Sequence, residues 1–200
     1  MSSQLRTMFV RPRQVATYVA AFRLAARPYG LSNVFGAAGR TQYATIYHLA
    51  TATKIVRLRQ VLVAVQSASA AAIIHAELVR LTAAVTPATG NPAITPKPLD
   101  PADVAVEATC LALPTTGGTE DTGSIHANVE WNMGITGAAP TTNPPPSLVY
   151  VPLYDDPVGW EGKPPTMRAG VAEGWAVTFD ASAAATVIAY VTMRFTEELP

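Results

Sequence analysis

From about Tyr43 onward, apolar and polar side chains alternate in short runs separated by glycine and proline, the period of two that a half-buried β-strand imposes. Residues 124–135 are the clearest case. Ile125, Ala127, Val129, Trp131 and Met133 fall on one side, and His126, Asn128, Glu130 and Asn132 on the other. Residues 184–195 set Val187, Ala189, Val191 and Met193 against Ile188, Tyr190, Thr192 and Arg194. In residues 54–66, Val56 and Leu58 alternate with Arg57 and Arg59, and the phase slips near Gln60, which predicts a β-bulge. Residues 71–81 fit a helix through Ile74, Leu78 and Leu81, or a strand with Ile73, His75, Glu77 and Val79 on one face; the flanking strands favour the strand. Residues 104–113, 148–154 and 174–179 complete the set, while the proline-dense stretches 86–103 and 137–146 read as extended surface connections.

Short strands with Gly/Pro turns and no strand–helix–strand alternation predict an all-β fold. The expectation is an antiparallel β-sandwich, jelly-roll or immunoglobulin-like, of about seven to nine strands over residues 43–200. Residues 1–42 read as an N-terminal arm. Within it, residues 14–27 carry Val15, Tyr18, Val19, Phe22 and Ala26 on one face of a short helix, and the run 18–24 pairs equally well as a strand, with Pro12 and Pro28 bracketing it.

Charge sharpens this division. Residues 1–76 hold nine cations (Arg6, Arg11, Arg13, Arg23, Arg27, Arg40, Lys54, Arg57 and Arg59) and no acid, so a chain with formal net charge +0 divides into a +9 part and a −9 part. Such a distribution favours docking of the basic part on something negative, a polyanion or the acidic part of another copy. Charged residues make up only 14% of the chain, against about 25% in ordinary soluble domains, which predicts that some of the surface is covered by neighbours. The arm is acid-free and arginine-rich like a mitochondrial transit peptide. An extension held by a neighbouring subunit is the preferred reading, with Arg6, Phe9, Arg11, Arg13, Tyr18, Phe22, Arg23 and Arg27 as its assembly interface. Nucleic acid is disfavoured, since the chain as a whole is neutral and only Lys54 among the nine cations is a lysine.

Candidate chemistry is sparse. His48, His75 and His126 have no partner at metal-ligand spacing. His126 and Glu130 share a strand face about 13 Å apart, too far to hold one ion. Asp155 and Asp156 before Pro157 read as turn formers, as does Asp121 in the glycine-rich run 117–123. The single cysteine, Cys110, lies in an apolar run and reads as a buried, inert thiol. Trp131 and Trp175 are core candidates; Trp160, in a Pro/Gly loop, is the candidate exposed contact for a protein or a sugar. No catalytic residue, metal or cofactor is expected.

The stretch 89–100 (TGNPAITPKPLD), the loop 134–140 (GITGAAP) and the segment 167–174 (MRAGVAEG) before two closing strands resemble small β-sandwich structural proteins of tailed bacteriophages. The resemblance covers roughly residues 43–198. It implies a non-enzymatic virion component built in many copies, a head decoration (cement) protein or a tail-associated one, with trimers or rings and major capsid or tail proteins as partners. The alternatives are a receptor- or carbohydrate-binding module and a nucleic-acid-binding protein.

Overall fold

The computed structural model describes residues 16–24, 41–68, 72–83, 93–112, 119–133, 150–156, 164–181 and 187–200. Among these there are twelve strands: β1 (Ala16–Leu24), β2 (Thr41–Tyr47), β3 (Ile55–Ala68), β4 (Ala72–Leu81), β5 (Ala93–Ile94), β6 (Lys97–Pro98), β7 (Thr109–Ala112), β8 (Glu120–Met133), β9 (Val151–Asp155), β10 (Thr166–Met167), β11 (Gly174–Ala181) and β12 (Val187–Glu198). Three of them, β5, β6 and β10, are two-residue ladders. The other nine are the strands of a sandwich.

One sheet runs β10-β3-β12-β1-β6, with β9 also on β3, and the other runs β5-β7-β2-β11-β4-β8. The eight principal strands pair in a nested way, first with last: β1 with β12, β2 with β11, β3 with β9, and β4 with β8, all antiparallel. Lateral pairs β12–β3 and β11–β4 then roll this long hairpin into two sheets. That is the jelly-roll pattern, not the immunoglobulin one. An insertion between β4 and β8 contributes β5, β6 and β7, which extend the sheets beside β1 and β2. Pro98, which has no N–H to give, sits on the outermost ladder of its sheet.

The sequence alternation explains what faces the core. Val56, Leu58, Val61 and Val63 of β3, Ile74, Ala76 and Leu78 of β4, and Val191, Met193 and Phe195 of β12 are fully buried between the sheets. The predicted slip in β3 is present: Leu58 pairs with Phe195 and Gln60 with Arg194, so Arg59 is the extra residue of a bulge. On β2, β4, β7 and β11, the opposite face is buried too. Tyr47, Val79, Leu81, Leu111 and Ala176 form a second small cluster there, so the second sheet is covered on both sides.

Two expectations are corrected. Residues 16–24 are not a separate arm: β1 lies between β12 and β6, inside the first sheet. Its alternate residues Ala16, Tyr18, Ala20 and Phe22 point into the core, and the Tyr18 ring stacks on Phe195 at 5.5 Å. The period is therefore that of a strand, and tertiary pairing overrides the helical reading of this short run. Second, residues 104–107 are not strand; β7 begins only at Thr109, and Val104 is 60% exposed.

Candidate functional site

Four stretches meet at one end of the sandwich: the β2–β3 loop (residues 48–54), residues 105–108 before β7, residues 168–173 before β11, and the close of β12. What joins them is a set of three carboxylates, Glu173 and Glu197 buried and Glu107 half-buried. Glu197, 1% exposed, follows Phe195 by two on β12 and so shares its inward face. It accepts Lys54 Nζ at 2.8 Å and the backbone N–H groups of Glu107 (2.9 Å) and Ala108 (2.8 Å). Glu107 in turn accepts the N–H groups of Thr53 (2.8 Å) and Lys54 (2.9 Å). Burial pushes the Glu107 carboxyl up, but those two N–H groups and the Thr53 hydroxyl outweigh it, so it is held below the usual glutamate value.

Glu173, 2% exposed, is the second node. It accepts Arg168 N at 2.6 Å, Arg168 Nε at 3.1 Å, Arg168 Nη2 at 3.0 Å and Arg80 Nη2 at 2.7 Å. Here also burial acts upward and is outweighed by the Arg168 and Arg80 bonds, leaving the carboxyl below its ordinary value. The Glu173 carbonyl accepts the His48 N–H at 2.9 Å. The turn that brings Arg168 back to Glu173 needs Gly170, whose φ of 72° is left-handed and whose N–H bonds to the Ala52 carbonyl at 2.7 Å. His48 itself is 1% exposed. Burial holds its imidazole neutral, against the opposing pull of Glu197, Glu107 and Glu173.

Beside this network, Arg57 Nε donates to Glu198 at 2.5 Å, and Arg59 Nη1 to Asp156 at 2.6 Å. Lys54, Arg57 and Arg59 belong to the basic part of the sequence, and Glu197, Glu198 and Asp156 to the acidic part. Three of the nine cations are therefore neutralised inside the molecule, and the surplus positive charge is confined to the others. Arg23 lies in β1 opposite Tyr190. Arg6, Phe9, Arg11, Arg13, Arg27 and Trp160 lie outside the described residues. Tyr18 and Phe22, each 1% exposed, are core residues and cannot serve an assembly interface. The Tyr18 hydroxyl donates to the Val104 carbonyl at 2.7 Å, and burial, with Glu197 and Asp103 nearby, pushes its pKa up to about 12.

Between the sheets, on the β9–β10 side, a cleft of about 690 Å³ opens, lined by Arg57, Arg80, Tyr154, Pro164, Pro165, Thr166, Arg168 and Trp175. Arg80 also lies 3.8 Å from Asp121. Asp121 is in strand β8, not in the flexible turn the glycines around it predict, because Glu120 already pairs with Leu81. Trp175 is 3% exposed and Cys110 1% exposed, both in the core as expected. Burial drives the Cys110 thiol pKa upward, so it is no nucleophile.

A third cluster went unseen in the sequence. His75 Nδ1 lies 3.6 Å from Glu77 Oε1 and 3.5 Å from Asp180 Oδ1, because β4 and β11 pair His75 with Asp180 in register. Cross-strand register is what a one-dimensional search for ligand spacing misses. Chemically, the arrangement as a whole favours fixed ion pairing. Glu107 and Glu173 are held ionised by donors that also fix the backbone, and His48 is walled off from water. The cleft, with guanidinium groups pinned in place, suits binding of an anion.

No family model matches this chain, and neither a curated protein nor a solved structure matches it.

Proposed function

We propose that this protein is a non-enzymatic structural subunit of a phage particle, a capsid decoration (cement) or tail-associated protein that assembles in many copies through its basic N-terminal segment. The observation that carries this reading is where that segment joins the fold. Ala16, the first residue of β1, lines a hollow of about 240 Å³ together with Lys54, Ala102, Asp103, Val104, Glu197, Glu198 and Leu199. Val104 and Leu199 are each 60% exposed there. Large apolar side chains at a surface hollow mark a contact site, and Asp103, the lining acid outside the Lys54–Glu197 and Arg57–Glu198 pairs, complements Arg6, Arg11 and Arg13, which precede Ala16 in the sequence.

The buried acid network supports the same reading from another direction. Carboxylates that crosslink four stretches of chain keep a surface in one shape, which a subunit making repeated identical contacts requires.

The test is a truncation placed by the structure. Removing residues 1–15 leaves β1 whole, so the chain stays folded by circular dichroism and thermal melting, and it loses self-association in sedimentation velocity and incorporation into particles. A truncated chain that still assembles like the full one overturns the proposal. Removing residues 1–24 instead takes out an inner strand and unfolds the sandwich, so that variant is uninformative about assembly.

A further inference from the structure

We propose that the cleft lined by Arg57, Arg168, Tyr154 and Thr166 binds an acidic saccharide, a sugar ring carrying one carboxylate. Its volume of about 690 Å³ lies in the range of small-ligand sites and accommodates one or two pyranose rings. This inference does not rest on the assembly reading.

The anion-binding half comes from two arginines held from behind. Arg57 is fixed through Nε by Glu198 at 2.5 Å, with Nη1 3.5 Å from Thr166 Oγ1. Arg168, whose side chain is 63% exposed, is oriented through Nε and Nη2 by Glu173 at 3.1 and 3.0 Å. A guanidinium has five N–H donors, and neither Arg57 Nη2 nor Arg168 Nη1 has a partner among the described residues. A planar fork with one edge pinned keeps its orientation and loses little further freedom when a carboxylate meets its other edge.

Charge stoichiometry narrows the ligand. Arg57, Arg80 and Arg168 face the cleft, and Glu173 and Glu198, 2% and 7% exposed, sit behind them. Asp121, with a side chain 41% exposed and 3.8 Å from Arg80, is the loosest member. Fixed carboxylates already balance most of this positive charge, so the site suits a small anion met by the outward guanidinium edges and not a polyphosphate backbone, whose binders accumulate uncompensated cations.

The neutral half of the site is suited to a polyol. Tyr154 and Pro164 are half-buried walls, Trp175 forms the floor, and Thr166 Oγ1 donates to the Pro164 carbonyl at 2.6 Å, so that its oxygen can accept one donor besides Arg57 Nη1. A protein partner buries large apolar side chains at the centre of its footprint. The described ones that stand exposed, Leu49, Ile73, Leu99, Val104, Tyr150 and Leu199, all lie outside the cleft lining.

The experiment is a titration of the ¹⁵N-labelled full-length chain, followed by NMR, with sodium glucuronate, glucose and sodium phosphate in parallel. Glucuronate is expected to shift the Arg57 and Arg168 Nε–H signals and the Trp175 indole signal at millimolar concentration, with glucose at least about tenfold weaker. Arg168→Ala weakens glucuronate about tenfold. Arg168→Lys keeps a cation for Glu173 while removing the fork, so it weakens glucuronate also and serves where the alanine variant fails to fold. Silence of all three probes at these signals overturns the proposal. So does phosphate binding as well as glucuronate, which leaves an adventitious ion only, and so does glucose matching glucuronate, which removes the arginines from the recognition.

Discussion

Glu173→Gln isolates the electrostatic worth of the network, because glutamine keeps the side-chain volume and exchanges one acceptor oxygen for a donor NH₂. Of the bonds Glu173 accepts, those from the Arg168 guanidinium are discounted, since that side chain is 63% exposed and solvent competes for it. Two remain that water does not replace: Arg168 N at 2.6 Å and Arg80 Nη2 at 2.7 Å. Glutamine's one oxygen keeps the Arg168 N–H as a neutral bond and the Arg80 bond is lost, so at about 1.5 kcal/mol for a hydrogen bond to a charged group and about 1 kcal/mol for a neutral one the fold is destabilised by about 2 kcal/mol. With a urea slope of about 2–3 kcal/mol per molar, the unfolding midpoint at pH 7 falls by about 0.7–1 M. The pH dependence carries its own signature. The Glu173 carboxyl is depressed below its ordinary 4.5 in the folded state. Below pH 4.5 the unfolded chain therefore binds a proton that the folded chain does not, and stability falls as pH drops toward the folded value. The gap between wild type and the glutamine variant is full above pH 4.5 and narrows below it. A midpoint shift under about 0.3 M at pH 7, or a gap that stays constant through the acid range, refutes the reasoning.

His48 acts at higher pH. Its pKa is lowered from 6.5 by burial, so between 6.5 and its folded value the unfolded chain binds the extra proton and wild-type stability declines as the solution is acidified; His48→Gln flattens that slope in a series of urea melts. Gly174→Ala places a Cβ 2.6 Å from the Ile46 carbonyl oxygen and 2.8 Å from Tyr47 Cβ on β2, and because the obstruction is largely backbone the variant loses about 1–3 kcal/mol in the same assay. Cys110, 1% exposed, reacts with a chromogenic disulfide reagent only as fast as the chain unfolds, and prompt reaction in native buffer contradicts its burial.

What the sequence disclosed follows from which interactions are local. Alternation in residues 124–135 and 184–195 is legible because one face of each strand meets the core; Ala127 and Val129 pack against it while Asn128 and Glu130 stay exposed. Residues 104–107 deceived because Val104 and Val106 keep the same spacing, yet Glu107 is captured by the β2–β3 loop and its N–H by Glu197, which bends the stretch into a connection. Tyr18 and Phe22 looked like a sticky face on an arm because nothing local reveals that β12 lies beside them. The network was illegible for the same reason at longer range: Arg57 and Glu198 are 141 residues apart and Lys54 and Glu197 are 143 apart. Glu173 was visible in the segment 167–174, and its role was not, since its partner Arg80 arrives from the neighbouring strand β4, where it lies opposite Trp175.

The nested pairing of the strands has a consequence for synthesis. β1, the first of the described strands in chain order, has as its main neighbour β12, the last of them, with Ala16 opposite Glu197 and Leu24 opposite Ala189. A nascent chain on the ribosome thus carries Tyr18, Phe22 and the apolar edge of β3 without their mate until β12 has emerged, and closure across so long a loop is slow. During that interval a chaperone, or another nascent copy offering its own β12, is the natural stand-in.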